Sequence, residues 1–348
     1  MLTELGYEVL LIGRLTSISK PLPQRTYQTH RMSLPFEKGP LFYAVYNIGL
    51  FLNLIFRKTN LLFSNDLDTL LPNYLVSKIK STSLVYDSHE YFTEVPELIN
   101  RPRVQSVWKS LESWMLPKLT NTITVNQSIA ELYNRDYGIE MNVLRNVPRI
   151  AKNVEPKSRE ELGLPENEKI IILQGSGINI DRGAEEAVEA MKFLSDTILL
   201  IIGSGDVIPQ LKQKVQLEGL ARKVLFKGRM PYAEMMQHTM VANLGLTLDK
   251  DTNINYRFSL PNKLFDYIHA GVPVLASDLK EVKAIVQSFK VGDVVSSVEP
   301  ELIAEKIKEM LGSAKLPEWK SNCIYAREEL NWNTESEVLK NVITNIDG

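Results

Sequence analysis

The sequence predicts a mainly parallel, doubly wound α/β architecture, built twice. Three observations carry this. Continuous apolar runs of strand length alternate with segments of helical period, glycines stand where several of those runs end, and a polar stretch interrupts the alternation near the middle. Strands of a parallel sheet are covered by helices on both faces, so they read as unbroken Val, Ile and Leu rather than as alternation. At 348 residues the chain exceeds one comfortable core, and roughly 150 residues per domain gives two domains.

Taken in order, the chain opens on residues 2–5, which read as the last turn of a helix closed by Gly6, followed by a strand over 7–13. A doubly wound domain normally begins with a strand, a glycine-bearing turn and a full helix. The first β-α unit is therefore expected to be missing, through truncation or because the natural chain fills the gap with something else. Residues 41–56 carry no charge and end at Arg57-Lys58. Their 16 residues, broken by Asn47 and Asn53, fall short of the roughly 20 that span a bilayer. They read as a helix covering the first sheet or, alternatively, as one lying in a membrane interface, which Trp108, Lys109, Trp114 and Lys118 would support. Strands over 61–64, 84–87 and 122–125 complete a first domain, residues 1–150. A stretch rich in Lys, Glu and Pro, from 146–148 to 165–167, marks the boundary. The second domain, residues 151–330, carries strands over 169–174, 198–203, 224–226, 242–248 and 272–276. Residues 331–348 hold a final helix, 334–346.

Composition narrows the classes. With 44% hydrophobic and 24% charged residues, the chain is an ordinary globular protein rather than a disordered or fibrous one. A net charge of −2 gives no field for a polyanion, so nucleic acid is not expected as a partner. The single cysteine, Cys323, cannot close an intramolecular disulfide, and no Cys/His cluster has metal-ligand spacing. A reducing, cytoplasmic setting without a metal follows, and the N-terminus lacks the basic and apolar regions of a signal peptide.

The chemistry is concentrated in "SLPNKLFDYIHAGVPVLAS", residues 259–277. Ser259 reads as a cap and Pro261 as a first-turn proline, so the free N–H groups of Asn262 and Lys263 would point out of the helix start toward an anion. Lys263 adds a point charge suited to a diphosphate. Asp266, one turn on, offers two oxygens to vicinal hydroxyls such as those of a ribose. A capped helix with a solvated face explains the same residues when this stretch stands alone. Glycines at two other strand ends change the weighting: Gly175-Ser176-Gly177, followed by Asp181-Arg182-Gly183 before a helix, and Gly203-Ser204-Gly205-Asp206 before another. Glycine there lets backbone approach a ligand closely. The third glycine of a dinucleotide fingerprint and a following acidic residue are both wanting, which rejects a nicotinamide dehydrogenase.

Together "ILQGSGINIDRG", "LLIIGSGD", "VLFKGRMPYAEM" and above all "SLPNKLFDYIHAGVPVLAS" resemble the C-terminal domain of a GT-B glycosyltransferase, specifically the large family 4 of retaining, nucleotide-sugar-dependent enzymes. "VYDSHEYFTEVPEL" and "LRNVP" resemble its bacterial surface-polysaccharide members. The resemblance implies two Rossmann-like domains facing an interdomain cleft, with the final helix crossing back toward the first domain. It implies a catalytic set of His89, Arg182 and Lys263, in which Arg182 and Lys263 hold the diphosphate. Gly175, Gly177, Gly203, Ser259, Leu260 and Asn262 would line the nucleotide sugar, and Asp266 would take the ribose. Asp87 and Glu90 are candidates for orienting His89, although a lone histidine after a strand is more often structural. The family's acidic pair, two glutamates separated by seven residues, departs here to Phe258 and the shorter Asp266; Asn255 or Ser259 would have to substitute at the first position.

The function implied is transfer of a hexosyl unit from a nucleoside diphosphate sugar to a saccharide or lipid-linked acceptor hydroxyl, with configuration retained and no separate cofactor. The protein would be cytoplasmic, or peripheral on the inner face of the cell membrane. A nucleotide-sugar 2-epimerase and a non-catalytic nucleotide-sugar-binding homologue share the architecture and are the rival readings.

Overall fold

The computed structural model describes residues 1–151 and 155–347. The chain forms two compact units, one made of residues 1–144 and 336–348, the other of residues 145–335.

In the first unit β1 (Leu10–Leu15) pairs in parallel with β2 (Gln28–Ser33), and α1 (Gly39–Ile55) follows. A four-stranded parallel sheet comes next: β3 (Leu61–Asn65), α2 (Leu67–Lys80), β4 (Ser83–Ser88), α3 (Pro96–Ile99), α4 (Pro102–Met115), β5 (Asn121–Thr124), α5 (Gln127–Tyr137) and β6 (Asn142–Val143). Ahead of β1, the amide of Tyr7 donates to the carbonyl of Leu2 at 3.1 Å and Gly6 has φ +90°. That is how a helical turn closes on a left-handed glycine. Helix α1 buries Phe42, Tyr46, Leu50 and Leu54, an i, i+4 stripe. Trp108 of α4 meets Tyr43 of α1 edge-on at 5.2 Å and is buried, so it is a core residue and gives no support to a membrane interface. Trp114 is 44% exposed, with Lys118 Nζ 4.6 Å above its ring. Among the described residues no helix is long and apolar enough to cross a membrane.

The second unit is a six-stranded parallel sheet in the order β12-β11-β10-β7-β8-β9. Its elements are β7 (Lys169–Gly175), α6 (Ala184–Ala190), β8 (Thr197–Gly203), α7 (Ile208–Leu217), β9 (Val224–Gly228), α8 (Tyr232–Met240), β10 (Leu244–Thr247), α9 (Ile254–Arg257), α10 (Asn262–His269), β11 (Val274–Ser277), α11 (Lys280–Ser288), β12 (Gly292–Val295), α12 (Pro300–Gly312) and α13 (Leu316–Glu329). Helix α14 (Trp332–Asp347) begins in this unit and ends in the first. The apolar strands divide with period two: Ile171, Leu173, Leu199 and Ile201 enter one core, Ile170, Ile172, Ile198 and Leu200 the other. Burial on both faces is what the unbroken Ile and Leu runs require.

Candidate nucleotide-sugar site

The strand order places a topological switch between β7 and β10. From β7 the chain winds outward through β8 to β9, returns to β10 beside β7, and winds the other way. The helices following β7 and β10 diverge from such a point, which leaves a crevice at the carboxyl ends of the strands where ligands bind. Here a side chain also keeps the two strands apart. β7 and β10 pair at Ile171–Leu244 and Ile172–Gly245. Beyond that, the Tyr267 hydroxyl lies between them, accepting from the Gln174 amide at 3.2 Å with its proton directed between the carbonyls of Ile172 (3.2 Å) and Leu246 (3.1 Å). Gly245 makes room for the ring, since a Cβ there would fall 2.3 Å from a ring carbon.

Arg182 reaches the crevice from the loop after β7, whose backbone holds it tightly. Asp181 has φ +66° and Gly183 φ +77°, and a Cβ on Gly183 would fall 2.3 Å from the Leu248 carbonyl oxygen. The loop is thus pinned against the end of β10. Arg182 Nη1 donates to Asp249 Oδ2 at 2.7 Å, and its guanidinium lies 4.1 Å over the Tyr256 ring. Lys263 Nζ, from the first turn of α10, donates to Asp249 Oδ1 at 3.3 Å, and the Ser259 hydroxyl donates to Oδ2 at 3.0 Å. Asp249 is 1% exposed. Burial pushes its carboxyl up, but the Lys263 and Arg182 charges and the hydrogen bonds from Arg182 and Ser259 more than offset this and hold it below the ordinary value. For Arg182, burial works against the charge, and Asp249 raises its pKa overall.

Asp266 lies one turn beyond Lys263, and both its oxygens are engaged: Tyr232 Oη donates to Oδ1 at 2.8 Å and Gln174 Nε2 to Oδ2 at 3.1 Å. Gln174 is fixed in turn by the Thr239 hydroxyl, which donates to Oε1 at 2.6 Å. Burial raises the Asp266 carboxyl above its ordinary value, against those two hydrogen bonds. The sequence assigns this carboxylate to a ribose; in the structure its oxygens accept from Tyr232 and Gln174. A cavity of about 590 Å³ opens beside it, lined among others by Gln174, Gly175, Gly203, Asn262, Lys263 and Asp266.

Other expected residues fall as follows. Ser259 is not a cap: α10 starts after Pro261, which is itself the cap position rather than a first-turn residue, and the Ser259 hydroxyl serves Asp249. Leu260 is half-buried against the second core. A Cβ on Gly175 or Gly177 would meet nothing closer than 3.8 Å, whereas one on Gly203 would fall 1.7 Å from the Gly175 carbonyl oxygen. Gly203 is therefore glycine because two strand ends touch. Phe258 lies under Lys280 Nζ at 5.8 Å, and Asn255 is buried. Sequence reasoning misses Asp249, Gln174 and Tyr232. The available signals were a lone polar residue ending an apolar strand ("IIILQG") and an acid just past the end of another ("LGLTLD").

His89 belongs to the first unit, directly after β4. Asp66, at the end of β3, accepts from the His89 amide at 2.9 Å and contacts its Nδ1 at 3.2 Å; Nε2 lies 3.7 Å from Asp87. The hydrogen bond to Asp66 raises the imidazole to about 9, with Asp87 assisting against burial. Asp66 has φ +59°, a conformation rare outside glycine that tends to be kept where geometry serves a site. Asp87 is thus the more distant orienting carboxylate, and Asp66, absent from the sequence reading, is the closer.

Residues 154–325 match the family model of glycosyl transferases group 1. No curated protein matches the chain significantly. Among solved structures, sucrose-phosphate synthase from Thermosynechococcus elongatus is 17% identical with a TM-score of 0.80, the match covering 99% of this chain and 90% of that one. A glycosyltransferase from Rickettsia africae is 14% identical with a TM-score of 0.78, covering 99% and 92%. Anabaena HepE, solved in complex with UDP and glucose, is 16% identical with a TM-score of 0.72, covering 91% and 86%. The chain therefore has the GT-B fold, and its residues 154–325 carry a glycosyl transferases group 1 domain.

Proposed function

We propose that the protein is a retaining hexosyltransferase that uses a nucleoside diphosphate sugar and an acceptor hydroxyl in polysaccharide or glycolipid assembly. The observation that carries this is the meeting of Arg182 and Lys263 at the switch point, with Lys263 lining a cavity that also holds Asn262, Gly175 and Asp266. When the bond from the anomeric carbon to the diphosphate breaks, an oxocarbenium-like centre forms and negative charge grows on the leaving oxygen. Arg182, Lys263 and the positive end of α10 stabilise that charge more in the transition state than before it. Attack on the same face of the sugar, and His89 as a further catalytic residue, follow from the family resemblance.

The reading is tested by thermal shift and calorimetry with UDP, GDP, ADP and their sugars, then by product analysis with an acceptor. Stabilisation by one nucleotide and transfer with retained configuration are expected. Epimer formed without acceptor would replace the transferase with a 2-epimerase, and binding without turnover would leave a binding homologue.

The same assembly role favours peripheral contact with a membrane through α1. On the side away from its core stripe it exposes Leu41 (60%), Ile48 (61%), Leu52 (48%) and Phe56 (85%), with Arg57 and Lys58 exposed at its end. An apolar helical face flanked by basic residues is the pattern of an interfacial helix on an anionic surface.

A further inference from the structure

We infer that Asp249 is a positioning residue for the donor's diphosphate, an inference that rests on the nucleotide-sugar reading above. The carboxylate is 1% exposed, and the ligand would be addressed by the two cations and the hydroxyl that converge on it. Arg182 arrives from the loop after β7, Lys263 from the first turn of α10, and Ser259 from just ahead of it. One carboxylate thus ties both sides of the crevice together.

Two features argue that this arrangement aims the cations and does more than neutralise them. The guanidinium spends Nη1 on Asp249, while its buried Nε has no hydrogen-bond partner among the described residues. Buried polar atoms are rarely left unsatisfied, so Asp249 and the Tyr256 ring fix the guanidinium without using all of its donor capacity. The second feature is the sign of the charge. A site needing only positive potential would be weakened by a buried carboxylate beside it, because that carboxylate repels a diphosphate. Holding Arg182 and Lys263 close together without a shared anion would in turn cost their mutual repulsion. Asp249 contributes to binding if the fixed geometry outweighs the repulsion it adds, and the two effects push affinity in opposite directions.

That opposition gives the test. Calorimetry identifies whichever of UDP, GDP and ADP binds the wild-type protein most tightly, and ligand-observed NMR follows the corresponding nucleoside, which lacks phosphates. In Asp249→Asn the diphosphate is expected to bind about tenfold more weakly or worse, while the nucleoside changes less than about twofold. Unchanged or tighter diphosphate binding would overturn the inference, since Asp249 would then be a mere counter-ion. Equal loss of both ligands would overturn it too, as general disruption of the domain. Should Asp249→Asn fail to fold, Asp249→Glu keeps the charge and displaces the oxygens by one methylene. The same selective loss is expected there, and retained diphosphate affinity would overturn the inference. Wild-type protein that binds none of the three nucleotides would sink the transferase reading itself, and this inference with it.

Discussion

Arg182 and Lys263 share one carboxylate, so the loss of either should be felt by the other. Each alanine variant removes a charge-assisted contact, and nucleotide affinity is expected to fall by about 1.5 to 3 kcal/mol in each. The double variant should not be additive, because the two side chains are coupled through Asp249; a thermodynamic cycle by calorimetry measures the coupling. In the first unit, the hydrogen bond to Asp66 raises the His89 imidazole from an ordinary 6.5 to about 9. A folded value above the unfolded one stabilises the fold fully below about pH 6.5. That contribution is lost as pH rises through about 9. Asp66→Asn should lower the His89 pKa, and NMR titration of the imidazole protons checks it. Arg182 was legible as a candidate because it stands in a glycine-bearing loop ahead of a helix, and Lys263 and Asp266 because they fall on the first turns of the helix opened by Ser259-Leu260-Pro261. Asp249 was not, because its importance comes from three partners 10 to 67 residues away in sequence, which only folding brings together.

At the scale of elements, glycine positions separate steric need from conformational need. A Cβ on Gly203 would collide with the Gly175 carbonyl at a φ of +133°, whereas Gly219, at φ +69°, faces open space. Gly203→Ala is expected to destabilise by about 3 kcal/mol or more, and Gly219→Ala by only about 1 to 2 kcal/mol; chemical denaturation of both variants tests the contrast. On α1, the triple change Ile48→Ser, Leu52→Ser, Phe56→Ser should abolish flotation with anionic vesicles without lowering the melting temperature, since these side chains stand outside the core. A stability loss would assign them to packing instead. Strands with continuous apolar runs were readable because burial on both faces leaves no other composition. β2 (QTHRMS) was not, since Met32 is its sole buried residue; β6 has only two residues, and β12 (GDVV) buries only Val295 and so lacks an apolar run.

For the whole molecule, the cavity beside Asp266 is lined entirely by residues between Asn146 and Asp266, all of one unit. A fragment of residues 145–335 is therefore expected to fold and to bind the nucleotide within about threefold of the full chain, while transferring no sugar. Arg145 and Glu335, at its two ends, are joined by a 2.7 Å bond that would close it. Calorimetry on the fragment checks this, and loss of binding would show that the nucleotide also needs the other unit.

The Tyr267 wedge bears on this binding in another way. Because a fully buried phenol, not a mobile loop, takes up the backbone groups where β7 and β10 part, the gap between the strands exists before any guest arrives. The ordering of its walls is completed during folding and is not charged again to the ligand. Affinity there should accordingly show little of the entropic penalty typical of sites that assemble around their guest.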